Sequence, residues 1–324
     1  MNKQYYTKYL KYKKKYLELN NYLELNNYLE LNNYLELNNY LELEAGAVIQ
    51  SNEKPMPLLS FGPKDGHISD LKDRILVALT YGYRHIDLKS RYSTTMGSNI
   101  QDYLIKIKEG IKESRVLRHN LWITWNGGVL INNEKNVKRV IDILECKYID
   151  TIVGNNDDLA NLVGLKDKGI VKNLGVENVY DFEKIKELQE LYGINTLQIQ
   201  AHIKNNELIR QCNEIGIKVQ LYGILGALAK YKSGNFDILD MPDPDITYLT
   251  KNIMKYYMIK FIKNNNVIIS SSLKAPTIIQ NVYLSNQIFN EVIYKDSINI
   301  EKIETILKDI GDKLPDVGED TLYK

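Results

Sequence analysis

Asp87 and Tyr92 are the residues of this chain most able to do chemistry together. They are a carboxylate and a phenol five positions apart in Gly82-Tyr83-Arg84-His85-Ile86-Asp87-Leu88-Lys89-Ser90-Arg91-Tyr92. If His85–Leu88 is a strand, Asp87 lies at its C-terminal end and Tyr92 opens the following loop. In a barrel of alternating strands and helices, that end is the face where reactions occur. Lys89 falls in the loop on this reading and would have to turn inward to meet Asp87. Metal chemistry finds no support, because His85 and His202 have no cysteine or carboxylate partners at ligand spacing. The two cysteines, Cys146 and Cys212, make neither a disulfide framework nor a cysteine zinc site, and fit a reducing compartment.

The elements that must position Asp87 and Tyr92 follow from Pro57 onward. Short apolar runs are expected as strands at Leu58–Phe61, His85–Leu88, Leu121–Thr124, Thr151–Val153, Asn173–Val176, Thr196–Gln200, Lys218–Leu221 and Val267–Ser270. Helical segments are expected at Ile68–Thr80, Asn99–Ser114, Glu134–Cys146, Asp157–Lys168, Asp181–Leu191, Asn206–Ile215 and Ile253–Asn264, with a weak one after Ala275. Eight strand–helix alternations are the count of a (β/α)8 TIM barrel, an α/β fold. A doubly wound sheet is the alternative. No Gly-x-Gly-x-x-Gly follows the first strand, which argues against a dinucleotide site of that kind.

Residues 1–46 have a different character and are set apart from a barrel at 47–324, with Ala45-Gly46-Ala47 as the boundary. The first fifteen residues are dominated by lysine and tyrosine. Tyr-Leu-Glu-Leu-Asn-Asn then repeats in tandem from Tyr16 to Asn39, with a truncated copy at Tyr40–Leu43. In a helix a six-residue period turns by about 240° per copy, so no apolar stripe forms. Leu and Glu tilt the repeat towards a marginal helix. The lysine–tyrosine leader could contact nucleic acid through charge and stacking, but a solvated tail is the plainer expectation. The chain carries 42 Lys+Arg against 41 Asp+Glu, so no overall field selects nucleic acid or a membrane. No apolar run of about 18 residues marks a membrane span, and the leader lacks the apolar core of a secretory signal.

The Gly82–Tyr92 stretch resembles the signature of the aldo-keto reductases, with Asp87 and Tyr92 at that family's catalytic aspartate and tyrosine. Met56–Gly62 resembles the family's opening strand. Leu165–Asn178 is similar to its Gly-Lys-x-Lys-x-x-Gly-Val-Ser-Asn element. Leu197–His202 is similar to Asn-Gln-x-Glu-x-His, departing at Leu197 and Gln200. Val219–Tyr222 with Leu225-Gly226 resembles the strand carrying the nicotinamide-stacking tyrosine, and Val267–Asn281 the last strand and adenosine-phosphate loop. The resemblance implies a (β/α)8 barrel and NADPH-dependent carbonyl reduction, in which the tyrosine protonates the developing alkoxide. It also implies cofactor contacts at Asn178, Gln198, Tyr222, Ser272 and Asn281. Separately, Tyr9–Leu17 resembles leaders of giant DNA virus proteins, which implies a place in the virion or host cytoplasm and partners among virion components.

The departures fall on the chemistry. A phenol with a pKa near about 10 is a poor acid at neutral pH. The family tunes it with a lysine and a histidine, and those positions hold Asn126 and Asn155 here. An amide hydrogen-bonds but carries no charge to lower a neighbouring pKa. Glu177 stands where the family has serine, and Pro63 replaces the threonine after Gly62. The lysine and arginine that grip the 2′-phosphate align with Ser271 and Thr277. The expectation is therefore a degenerate member, binding no cofactor or NAD(P)H weakly, with a binding or structural role. The alternatives are an active oxidoreductase using Tyr92, and a nucleic-acid-associated protein acting through its leader. Of the two tryptophans on the third strand, one is expected in the core, and Trp125 over the emptied site.

Overall fold

The computed structural model describes residues 54–63, 67–90, 97–127, 134–223, 243–262, 264–270, 275–289 and 298–313. The chain divides into two units, Met1–Pro55 and Met56–Lys324. The leader and the hexapeptide repeats lie outside the described residues, as do Tyr92, Ser271 and Ser272.

Eight parallel strands close into a barrel in sequence order, with β8 returning to pair with β1. They are β1 (Leu59–Phe61), β2 (His85–Lys89), β3 (Trp122–Asn126), β4 (Ile149–Gly154), β5 (Val171–Glu177), β6 (Thr196–Gln200), β7 (Lys218–Tyr222) and β8 (Val267–Ser270). The helices among the described residues are α1 (Ile68–Thr80), α2 (Ile100–Ser114), α3 (Glu134–Leu144), α4 (Leu159–Asp167), α5 (Phe182–Tyr192), α6 (Asn206–Glu214), α7 (Asp243–Tyr257), α8 (Ala275–Phe289) and α9 (Ile300–Lys313). The expected TIM barrel is thus the observed fold.

Alternation along the strands sorts side chains between two environments. Ile86, Leu88, Ile123, Trp125, Ile152, Leu174, Leu197, Ile199, Val219 and Leu221 join the helices' buried residues in one apolar cluster. Helix ends follow their local chemistry. The Asn99 side chain accepts the Asp102 N–H at the start of α2, and Asp181 accepts the Glu183 and Lys184 N–H groups at the start of α5. Gly193 ends α5 in the left-handed conformation. Gly110 in α2 has no room for a side chain: a Cβ there would stand 2.7 Å from the Lys72 carbonyl oxygen and 2.8 Å from Ile75.

The last third differs from the sequence reading. α7 begins at Asp243, ten residues before the expected Ile253, because Pro244 sits in its first turn, where a missing N–H leaves no bond unmade. The weak helix after Ala275 is the full α8, and α9 follows it, unanticipated, with Ile303, Ile306 and Leu307 buried at helical spacing. Between α7 and β8, Met258–Ile262 forms a π-helical turn with Met258, Ile259, Phe261 and Ile262 buried.

Candidate active site

The inward positions are polar along much of the barrel. His85 Nδ1 lies 3.1 Å from the Pro57 carbonyl oxygen, and its Nε2 lies 2.8 Å from Thr124 Oγ1. A carbonyl only accepts, so in the neutral ring Nδ1 carries the proton and Nε2 accepts from the Thr124 hydroxyl. Gln220 Nε2 donates to Thr124 Oγ1 at 3.4 Å. Gln198 Nε2 donates to Gln220 Oε1 at 3.0 Å and to Asp87 Oδ1 at 2.8 Å. A connected column therefore runs from Pro57 to the carboxylate of Asp87, and all four side chains between them are fully buried.

Above Asp87 at the C-terminal mouth sits the residue the sequence reading misplaced. Lys89 is not in a loop. It is the last residue of β2, pairs in register with Asn126 of β3, and is 1% exposed. Strand parity sends it inward with His85 and Asp87. Its Nζ lies 3.2 Å from Glu177 Oε2 at the end of β5 and 4.8 Å from the centre of the Tyr222 ring at the end of β7. The Tyr222 hydroxyl donates to Asn178 Oδ1 at 2.6 Å, and Asn178 holds a left-handed backbone (φ 58°) just past β5. One ammonium thus draws the ends of β2, β5 and β7 together. Leu-Lys-Ser-Arg in sequence reads as solvated loop, since a lysine is almost never buried without a partner. Here the partner, Glu177, is 88 residues away.

Asn126 occupies the neighbouring inward position, 5% exposed, and its Nδ2 has no hydrogen-bond partner. Asn155 is not drawn into this group. It is exposed and forms a capping box with Asp158, whose carboxylate accepts the Asn155 backbone N–H at 3.2 Å. Trp125 does not overhang the site. It is fully buried in the apolar cluster between sheet and helices. Trp122 takes the inward position instead, donating to Thr151 Oγ1 at 3.1 Å and packing edge-on against His85. Trp122 and Trp125 do face opposite sides, as their odd spacing requires.

Of the expected cofactor contacts, the structure brings Gln198, Asn178 and Tyr222 to the same end of the barrel. Asn281 is buried in α8 beside the Tyr83 hydroxyl, which also lies 2.6 Å from Ser270 Oγ. Burial pushes the Tyr83 phenol up to about 12, despite these hydrogen bonds. Gln198 has committed its Nε2 to Asp87 and Gln220, and its Oε1 is buried without a partner, as is Gln200 Oε1 on the same strand. An unpaired buried polar atom costs about 1–3 kcal/mol. Here one orphaned donor, on Asn126, and two orphaned acceptors, on Gln198 and Gln200, lie on inward positions near the strand ends. In chemical type, one donor and two acceptors complement a carboxamide, which has one carbonyl oxygen and two N–H groups. Thr277, which the resemblance sets at the position of the family arginine, is exposed and uncharged. His202 is engaged locally, its Nδ1 accepting the Lys204 N–H at 3.1 Å. Among the described residues no three His, Cys, Asp or Glu side chains gather as metal ligands, and no helix is long and apolar enough to cross a membrane.

A closed parallel (β/α)8 barrel with a polar C-terminal mouth defines the class. Comparison with known proteins narrows it. No protein-family model matches the chain. In sequence, it is 26% identical over 216 residues to rat aldo-keto reductase family 1 member A1, covering 56% of this chain and 66% of the relative. It is 26% identical over 219 residues to mouse family 1 member C13, covering 55% and 65%. The matches therefore span just under two thirds of those relatives. In structure, it is similar to an aldo-keto reductase from a deep-sea metagenome library (TM-score 0.62, 19% identity, 86% of this chain and all of that one). It is also similar to the aldo-keto reductase of Bombyx mori in complex with NADP (TM-score 0.63, 19% identity, 84% and 94%). Sequence relatives and structural neighbours carry the same family name, and together they support the aldo-keto reductase resemblance.

Proposed function

We propose that this chain is an aldo-keto-reductase-like barrel that binds the nicotinamide end of a nucleotide cofactor without the family's tuned proton donor. The observation that carries the reading is the make-up of the mouth. An orphaned amide donor at Asn126 and orphaned amide acceptors at Gln198 and Gln200, the complement of a carboxamide, stand on inward positions at the end of the barrel that holds the pinned Tyr222 ring. The positions of the basic residues hold amides, one of them, Asn155, exposed and engaged in capping a turn. A bound nicotinamide would supply or accept hydride. The chain's own residues would orient its amide and stack its ring. The lost charges at positions 271 and 277 leave nothing there to favour a 2′-phosphate, so NADH and NADPH should bind within about threefold of each other. The leader's likeness to those of giant DNA viruses supports a place in a viral particle, which proteomics of purified particles would test.

A second reading, an active carbonyl oxidoreductase with Tyr92 as donor, gains from Lys89, which puts a cation at the mouth where the sequence analysis expected a loop residue. It carries less weight because a carboxylate, Glu177, stands against that cation and no basic group occupies position 126 or 155. The test is a titration of the full-length protein with NADH and NADPH, following emission of Trp122 and Trp125. Saturable quenching in the micromolar range, with no turnover of an aromatic aldehyde, is the expected result. No quenching refutes the cofactor reading, and turnover comparable to ordinary reductases, about 1 s⁻¹ or more, refutes the loss of the proton donor.

A further inference from the structure

We infer that the Lys89–Glu177 pair sets the redox-state preference of the nicotinamide site, favouring the neutral dihydronicotinamide ring over the cationic oxidised ring. The inference rests on the nicotinamide reading above and specifies which form of the ligand the site takes. The Lys89 ammonium lies 4.8 Å from the centre of the Tyr222 ring. It is held there by Glu177 Oε2 at 3.2 Å. The ring cannot swing away, because its hydroxyl is tied to Asn178 Oδ1 at 2.6 Å. A cation on an aromatic face is drawn to the negative face of the ring. Any second cation stacked on the same ring meets a like charge at close range.

The two nicotinamide forms differ at the ring by one positive charge. The oxidised ring would share Tyr222 with an ammonium already seated on it, whereas the reduced ring brings no charge to repel. Lys89 is 1% exposed, so water screens this repulsion little. Glu177 acts in the opposite sense, attracting the oxidised ring, but the ammonium is the partner placed on the ring. Removing Lys89 alone leaves the carboxylate and reverses the preference. Removing both takes away the two opposed charges of the pair together.

The test compares NAD⁺ and NADH on the full-length protein by titration calorimetry. The adenosine half is common to both probes and cancels in the ratio Kd(NAD⁺)/Kd(NADH). The wild type is expected to show a ratio above one. Lys89→Met is expected to lower it about tenfold, and the double variant Lys89→Met/Glu177→Gln about threefold. The double variant leaves neither member of the pair buried without the other, so it decides the matter should the single variant fail to fold. A ratio unchanged within twofold in the variants overturns the inference and leaves the nicotinamide reading standing. Failure of every protein, wild type included, to bind either nucleotide overturns both.

Discussion

Restoring the family lysine by Asn126→Lys should damage this protein rather than revive a reductase. In the sequence alone, position 126 looks like a vacancy waiting for a cation. In the structure, Lys89 sits on the adjoining strand at the paired position. Neighbouring parallel strands run about 4.8 Å apart, so two ammonium groups would start from positions about 5 Å apart on the same inward face. At an effective dielectric of about 20, like charges 5–7 Å apart repel by roughly 2–3 kcal/mol. Glu177 offsets part of this, and desolvation of the new charge adds to it, since Asn126 is almost fully buried. A net loss on the order of 2 kcal/mol is expected, which for a barrel of this size lowers Tm by about 4–8 °C. Asn126→Lys combined with Lys89→Met should recover most of that loss, because the second substitution removes the opposing charge. Thermal melts of the wild type, the single and the double variant supply the comparison, with aldehyde reduction assayed alongside. Should Asn126→Lys alone melt with the wild type, the placement of Lys89 as the cation of the mouth is refuted.

Two further outcomes concern the frame around the site. Burial holds the Tyr83 phenol at about 12 in the folded state, against about 10 unfolded. Its folded-state pKa is raised, so its contribution is whole below pH 10 and is lost as pH rises towards 12. Urea unfolding at pH 9 and pH 11 should show a falling stability whose slope is shallower in Tyr83→Phe, and equal slopes would contradict the assignment. Gly110→Val should destabilise the α1–α2 contact by about 2–3 kcal/mol, since its Cβ would press on the Lys72 carbonyl and Ile75, and a wild-type urea midpoint would rule that close approach out.

The barrel was legible because its strands are short apolar runs at regular intervals. Thr196–Gln200 and Val267–Ser270 were bounded as they stand in the structure. Three other strands with polar ends were cut short. β2 carries one residue more than expected, β3 runs on to Asn126, and β5 reaches Glu177. Inside a barrel with a polar interior, a polar residue does not mark a strand's end, and it was at those ends that the site lay. The charges at the mouth were individually visible in the sequence, but their pairing depends on barrel closure bringing β2 and β5 together. α9 carried a usable signal in the spacing of Ile303, Ile306 and Leu307. Gln220, which joins Thr124 to Gln198 in the column, had none, because an amide on a strand reveals no partner until the strand opposite is known.

That column of imidazole, hydroxyl and amides has a structural consequence of its own. It ties β2, β3, β6 and β7 by side chains at fixed heights. A slip of any one stave by a single residue would turn its polar group out among the helices and strand the partners left behind. The shear of the barrel is locked from within, so the floor on which Asp87 rests cannot drift independently of the wall that carries Lys89.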